Sequence, residues 1–391
     1  MPQVAQQIEA PEGLEGVIVA ETRIGDVRGR QGFYHYRQYD ATELAKQRTL
    51  EDVWHLLFRG ELPTSLEQRR AFEQEISAHR AVPDELIPML REIVAGDNFD
   101  LLAALRTAVS LLAAKAGFRA SIDASKDELA DDALRIAAVT PTLIAALHRL
   151  RNGHEPIAPD PALAGAANYL YMLQGKAPDP KYARAIEQYL ILTIDHGFNS
   201  STFTARVIAS TAADLGACIV GAIGALSGPL HGGAPSRALD MLDQIGQPDR
   251  AEPWIRNAVL KGERIMGFGH RIYKADDPRS LTLRDIAVQL GGPTSEFARD
   301  VEHTVVRVLA ELKPGRDLYT NVEFYAGVVM DSCGIPREMF TPTFVSSRVI
   351  GWCAHVLEQV SHNRLIRPTA RYVGPEPPQP VPALDPVPTL L

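Results

Sequence analysis

Ala205-Arg-Val-Ile-Ala-Ser-Thr-Ala-Ala-Asp-Leu-Gly-Ala-Cys-Ile-Val-Gly-Ala-Ile-Gly-Ala-Leu226 runs directly into Ser227-Gly-Pro-Leu-His-Gly-Gly-Ala-Pro235. Small and branched apolar residues fill most of the first stretch, which reads as one buried helix over roughly 205–226. The second stretch reads as a sharp loop. Pro229 ends the helix, and the glycines let backbone come close to a ligand around a single polar side chain, His231. Three later stretches look built to face it: Gly267-Phe268-Gly269-His270-Arg271, Asp277-Pro-Arg279 and Asn321-Val-Glu323-Phe-Tyr325. The expectation is a helical scaffold that displays polar groups on loops.

Working outward, nearly everything after residue 40 reads helical. Leu50, Val53, Trp54 and Leu57 fall at i, i+3, i+4 and i+7 behind Thr49 and Asp52, a capping-box pattern, and Gly60 is placed to end that helix. Asp40 with Glu43 resembles a second such start. Further helices are expected near 65–80, 83–95, 99–117, 127–151, 161–174 and 180–195, the last opened by Asp179 and Pro180. Beyond the His231 loop they recur near 236–245, 251–264, 278–290, 295–312, 321–333 and 341–361. Residues 17–24 and 33–36 alternate and are rich in Val, Ile, Tyr and Phe, so a small hairpin is expected there. No βαβ alternation and no GxGxxG occurs. The fold class is therefore all-α, with sixteen or more helices and a small N-terminal β-hairpin. The tail from Pro375 to Leu391 holds seven prolines and reads as an extended arm.

Composition narrows the function. The 391 residues carry a net charge of −8, which argues against a nucleic-acid binder. Cys218, Cys333 and Cys353 form no CxxC pair, so they read as reduced core thiols of a cytoplasmic protein. The polar N-terminus lacks an apolar signal core, and the run 101–117 is too short and too interrupted by charge to span a membrane.

His196, His231 and His270 stand beside Gly or Asn at helix ends or in loops, unlike His35, His79, His148, His154 and His303, which read as structural. Arg206, Arg271, Arg279, Arg348 and Arg367 sit near the same loops. Arginine forks hold carboxylates and phosphates at two points, so the set suggests a small polyanionic substrate. Glu323 stands before two aromatics. It is either a base with a raised pKa or a helix N-terminal acid stabilised by the dipole. His355, Glu358 and His362 could share a helix face as metal ligands. Trp352, Val356, Leu357 and Val360 on the same helix make a half-exposed interface face the better reading.

Six ordered motifs resemble the citrate synthase family, in its short, dimeric bacterial type. They are Asp195-His196-Gly-Phe-Asn199-Ser-Ser-Thr202-Phe203, Gly228-Pro-Leu-His231-Gly-Gly-Ala234, Met266-Gly-Phe-Gly-His270-Arg271-Ile-Tyr-Lys274, Asp277-Pro-Arg279, Asn321-Val-Glu-Phe-Tyr325 and Phe340-Thr-Pro-Thr-Phe-Val-Ser-Ser-Arg348-Val-Ile-Gly-Trp352. The resemblance spans about 13–374. It implies an all-α homodimer. Residues 1–232 and 335–391 would form a large domain and 233–334 a small one. It implies an acyltransferase that condenses acetyl-CoA with oxaloacetate and hydrolyses citryl-CoA at the entry to the tricarboxylic acid cycle, without a metal or other cofactor. By the same resemblance His231, His270 and Glu323 would be catalytic. His196, Arg279, Arg348 and Arg367 would bind oxaloacetate, Arg367 in the partner subunit's site. Gly267, Phe268, Gly269, Arg271 and Lys274 would bind CoA.

Two departures stand out. The family usually has Asp where Glu323 stands, one methylene shorter, and a Gly is common where Gln38 stands. A 2-methylcitrate synthase using propionyl-CoA is the nearest rival. Its usual base motif, Asn-Ala-Asp-Phe-Phe, differs from the one here. A non-catalytic helical scaffold is the rival from another class, and the retained histidines and arginines speak against it.

Overall fold

The computed structural model describes residues 8–382 apart from 233, 270, 271, 274, 316 and 317, and leaves the side chains of 234 and 235 undescribed. His270, Arg271 and Lys274, three expected site residues, lie outside the described residues.

The chain begins with a three-stranded antiparallel sheet, β1 (Gly25–Arg28), β2 (Phe33–Tyr36) and β3 (Tyr39–Asp40). Sixteen α-helices follow among the described residues: α1 (Ala41–Gln47), α2 (Leu50–Arg59), α3 (Leu66–Ala78), α4 (Ile87–Val94), α5 (Leu101–Ala116), α6 (Lys126–Arg151), α7 (Gly165–Gln174), α8 (Pro180–Thr193), α9 (Ser200–Ser210), α10 (Leu215–Leu226), α11 (Ala234–Ile245), α12 (Pro248–Leu260), α13 (Pro278–Leu290), α14 (Pro293–Leu312), α15 (Val322–Ser332) and α16 (Phe340–Ser361).

Local chemistry sets several of these boundaries. Thr49 and Asp52 close a reciprocal capping box on α2, and Gly60 ends that helix in the left-handed region. Ser125 and Glu128 do the same at the start of α6. Asp40 caps α1 through the Thr42 and Glu43 N–H groups, but the Glu43 carboxylate bonds Lys46 and Gln47 instead of reaching back. The capping is real and the box is not.

The expected helix over 205–226 is two helices. Asp214 Oδ1 accepts from Ala217 N as the cap of α10, and Ala212 sits at φ 64. A buried run of apolar residues hides this break, because a short acid in its middle competes for backbone N–H groups. The hairpin is also shifted. Its first strand is Gly25–Arg28, paired Gly25↔Tyr36 through Arg28↔Phe33, not 17–24. Val17, Ile18 and Val19 lie exposed, with no strand paired to them among the described residues.

Two layers of packing position the site. The long helices α6 and α16 cross in the core, with α8, α9 and α10 against α16. α6 is long and apolar enough to cross a bilayer, but its neighbours bury it as a core helix. Around the other side, α13 packs on α15, α12 on α14, and α11 on α15. The sheet leans on the end of α8: Tyr34 donates to Leu192 O (3.0 Å) and Tyr36 to Ile191 O (2.8 Å). α16 passes so close to the chain after α8 that a Cβ on Gly351 would meet Ile194 O at 2.2 Å. Any side chain there would push the helix that carries Arg348 away from the segment that carries His196.

Candidate active site

His196, His231, Arg279, Glu323 and Arg348 all line one open cavity of about 1170 Å³, together with the Gly267–Gly269 loop. Residues spread over 150 positions of sequence thus converge on one cleft, between α8, α9 and α16 on one side and α13 and α15 on the other.

His196 follows the end of α8. Its Nε2 lies 3.0 Å from the Tyr273 hydroxyl, and the Tyr34 ring packs against it at a tilt, 5.6 Å between centroids. Asp195 fixes this turn. Its carboxylate accepts from Gly197 N (3.1 Å) and pairs with His355 Nε2 (3.1 Å). Arg206 donates to the other ring nitrogen of His355 (3.1 Å) and to Glu358 (2.7 Å). A guanidinium only donates, so the neutral His355 ring carries its proton on Nε2 and donates it to Asp195.

This overturns two expectations. His355 is fully buried within a polar network, not on a half-exposed face, and Arg206 serves that network, not the cleft. Among the described residues no group of three or more His, Cys, Asp or Glu side chains is placed to hold a metal.

His231 follows α10, where its Nε2 meets Ser201 Oγ at 2.9 Å. Ser201, fully buried in the first turn of α9, accepts from Trp352 Nε1 (3.2 Å) and donates to Asn199 Oδ1 (2.8 Å). Burial, and then the nearby Arg348 charge, push the His231 pKa down to about 4. The imidazole is therefore neutral at physiological pH and acts as a hydrogen-bond donor, not as a cation.

Asp277 and Arg279 open α13. The Asp277 carboxylate caps the helix through Arg279 N (3.0 Å), grips the Arg279 side chain through Nε (3.0 Å) and Nη2 (2.8 Å), and accepts from Val322 N (3.2 Å) at the head of α15. One carboxylate thereby ties the arginine to the helix that carries Glu323. Arg348 is 2% exposed, donates Nε to Thr193 O (2.8 Å) and lies 4.6 Å over the Phe344 ring. Asp195 is the strongest charge acting on it, and among the described residues no carboxylate stands within ion-pair distance, so the buried cation favours an anionic ligand.

Glu323 stands in the first turn of α15, capped by Asn321, whose Oδ1 accepts from Glu323 N (3.1 Å). Its carboxyl is raised from its ordinary 4.5 to about 7, chiefly by burial. Arg279 and the Asn321 hydrogen bond pull the other way, and Asp277 adds to the rise. The backbone before it pairs with the glycine loop: Asn321 N donates to Gly267 O (2.9 Å), Gly269 N to Tyr319 O (2.8 Å) and Asn321 Nδ2 to Gly269 O (3.0 Å). Gly267 sits at φ 84, and a Cβ there would strike Phe324 at 2.8 Å. Glycine is needed on both counts.

A carboxylate that titrates near neutrality, a neutral histidine and buried arginines in one cleft can remove a proton from a weak carbon acid. They can also hold an anionic acceptor beside the resulting carbanion. Arg367 is exposed in an extended segment and does not line this cleft. Sequence reasoning gave no individual role to Ser201, Asp277, Tyr273 or Asp195, and read His355 as part of an interface face. Asn199 followed by Ser-Ser-Thr is a helix-start pattern, and Asp277-Pro is another. Either signal pointed to a loop held by side chains, but neither tells which residue turns toward the cleft.

The citrate synthase C-terminal domain family model matches residues 13–369. The chain belongs to the citrate synthase family. In this family, a citrate synthase of Haloferax volcanii is 41% identical over 372 residues, covering 94% of this chain and 96% of that protein. A 2-methylcitrate synthase of Mycobacterium tuberculosis is 38% identical, covering 96% and 93%. The solved citrate synthase of Thermoplasma acidophilum, in ternary complex with carboxymethyl coenzyme A and oxaloacetate, superposes with a TM-score of 0.88 at 30% identity. It covers 96% of this chain and 98% of that one.

Proposed function

We propose that the chain is an acyltransferase that condenses acetyl-CoA with oxaloacetate and then hydrolyses citryl-CoA to citrate and CoA. The observation that carries this reading is the Glu323 carboxylate, raised to about 7 by burial, in the same cleft as a neutral His231 and the buried Arg279 and Arg348. The citrate synthase that binds oxaloacetate and a CoA analogue in Thermoplasma acidophilum, similar along almost all of its length, supports the substrate assignment.

Each role follows from chemistry. Glu323 takes a methyl proton from the thioester, and the developing enolate oxygen receives a hydrogen bond from His231. Ser201 gives its single hydroxyl proton to Asn199 Oδ1; turning that proton to His231 Nε2 would leave the ring proton on Nδ1, the donor for that oxygen. Arg279, Arg348 and His196 hold the oxaloacetate carboxylates and aim its ketone carbon at the enolate. His270 would polarise that ketone. The Gly267–Gly269 loop, Arg271 and Lys274 would receive CoA. Residues 233–334 would form a small domain that closes on the body built from 1–232 and 335–391, keeping water out until citryl-CoA forms. In a homodimer, Arg367 would reach the partner subunit's oxaloacetate. Three buried free thiols suit a reducing cytoplasmic setting.

The similarity to a 2-methylcitrate synthase supports a second reading with propionyl-CoA, since one methylene is worth only about 10- to 200-fold in a typical pocket. The test is thiol release with oxaloacetate and each acyl-CoA in turn. Faster turnover per active site with acetyl-CoA supports the proposal. Preference for propionyl-CoA moves the chain to methylcitrate synthesis, and silence with both overturns it.

A further inference from the structure

Glu302 lies on α14, outside every motif discussed above, yet its carboxylate is almost fully buried at 5% exposure. One oxygen accepts from the Thr320 hydroxyl at 2.6 Å and the other from the Tyr325 hydroxyl at 2.5 Å. The Arg284 guanidinium stands 4.0 Å away and half-exposed. Thr320 lies three residues before Glu323 and Tyr325 two residues after it. On a helix a step of two turns the side chain to the far face, so Tyr325 holds the first turn of α15 from the side opposite the cleft. Thr320 also pairs with Phe268, so the same contact steadies the Gly267–Gly269 loop. Burial, reinforced by the Glu302 charge, holds the Tyr325 hydroxyl far above its ordinary range. It therefore remains protonated and donates.

We propose that Glu302 is a positioning residue for the base: a two-point clamp, through Thr320 and Tyr325, that fixes where the Glu323 carboxylate stands in the cleft. It rests on the reading of Glu323 given above. The chemistry calls for a carboxylate. The two hydroxyls donate to different carboxylate oxygens, and an amide would put an N–H donor where one of those oxygens stands. Glu323 is a long, flexible side chain asked to meet a methyl group at a fixed point. A displacement of about 1 Å there costs on the order of a hundredfold in rate. A firm base to the helix turn matters more for such a side chain than for a shorter one.

The test uses the full-length chain with Glu302→Gln, Thr320→Val and Tyr325→Phe, singly and with each hydroxyl change added to Glu302→Gln. Three readouts are taken: kcat and KM in thiol release, release of label from methyl-tritiated acetyl-CoA, and amide hydrogen exchange across 319–325. The clamp predicts that Glu302→Gln lowers kcat and tritium release together by about 10- to 100-fold while the KM for oxaloacetate moves less than threefold. Exchange across 319–325 rises, Thr320→Val and Tyr325→Phe give smaller losses of the same kind, and each adds less than its single-variant effect to Glu302→Gln. Wild-type kcat in the folded single variants, or lowered thermal stability with unchanged kcat and exchange, overturns it. If Glu302→Gln does not fold, the two hydroxyl variants decide alone. A wild-type chain without thiol release overturns the functional reading, and amide exchange still decides the clamp.

Discussion

Replacing Glu323 by Gln is predicted to make the protein more stable and chemically inert at once. The Glu323 carboxyl moves from 4.5 to about 7 on folding. Because its folded pKa is raised, the folded state prefers the protonated form. Its contribution to stability is fully present below pH 4.5 and is lost as the pH rises through 7. At pH 8 the ionised carboxylate costs the fold about 3 kcal/mol, and at pH 5 less than about 1 kcal/mol. Gln is neutral at every pH and removes that cost. A melting entropy of about 2.1 cal/mol/K per residue, over 391 residues, converts ~3 kcal/mol into a rise of about 4 °C at pH 8 and about 1 °C at pH 5. The assay is thermal melting of both proteins at both pH values, with thiol release alongside. Catalysis falls by about 10²- to 10⁴-fold, the usual worth of a positioned base. The reasoning fails if Gln lowers the melting temperature at pH 8, or shifts it equally at both pH values.

Wild-type kcat/KM should carry an acid limb near pH 7, falling about tenfold per pH below it as Glu323 protonates. No second limb from His231 should appear between pH 5 and 8, because that ring stays neutral down to about 4. A pH–rate profile checks both. Ser201→Ala removes the partner of His231 Nε2 and should lower kcat about tenfold or more with little change in KM for oxaloacetate, read by steady-state kinetics. Asp277→Asn removes the carboxylate that pairs with the buried Arg279 and should destabilise the fold by about 3–5 kcal/mol in denaturant unfolding, and weaken oxaloacetate binding in calorimetry. Gly351→Ala forces a Cβ against Ile194 O. It should cost about 1–3 kcal/mol and raise the KM for oxaloacetate.

Much of this was legible in the sequence, for identifiable reasons. Helices with a strong end signal, such as Thr49 with Asp52 before α2 or Asp179-Pro180 before α8, fall within a residue or two of their expected starts. The break inside 205–226 was not legible, because Asp214 sits in an apolar run whose burial outweighs any local reading. Strand β1 was missed because alternation at 17–24 does not reveal whether a partner strand exists. For the site, His196 and His231 stood out beside Gly or Asn, Arg279 and Arg348 near the same loops and Glu323 before two aromatics; the family resemblance gave them roles, and they line one cleft. Arg206 and His355 looked alike in sequence, yet they form a buried network behind Asp195. Only the three-dimensional path of α16 separates them from Arg348, seven residues earlier on the same helix than His355. Glu302 had no sequence signal, since an acid in a long helix reads as a solvated face.

The central claim is that this cleft joins an acetyl carbon to a keto acid, and thiol release alone does not distinguish that from simple thioester hydrolysis. The most direct measurement is product analysis by mass spectrometry after incubation with methyl-labelled acetyl-CoA and oxaloacetate, for wild type and Glu323→Gln. The account predicts labelled citrate from the wild type and none from Glu323→Gln. Labelled acetate with oxaloacetate left intact, or labelled citrate formed equally well by Glu323→Gln, would contradict it.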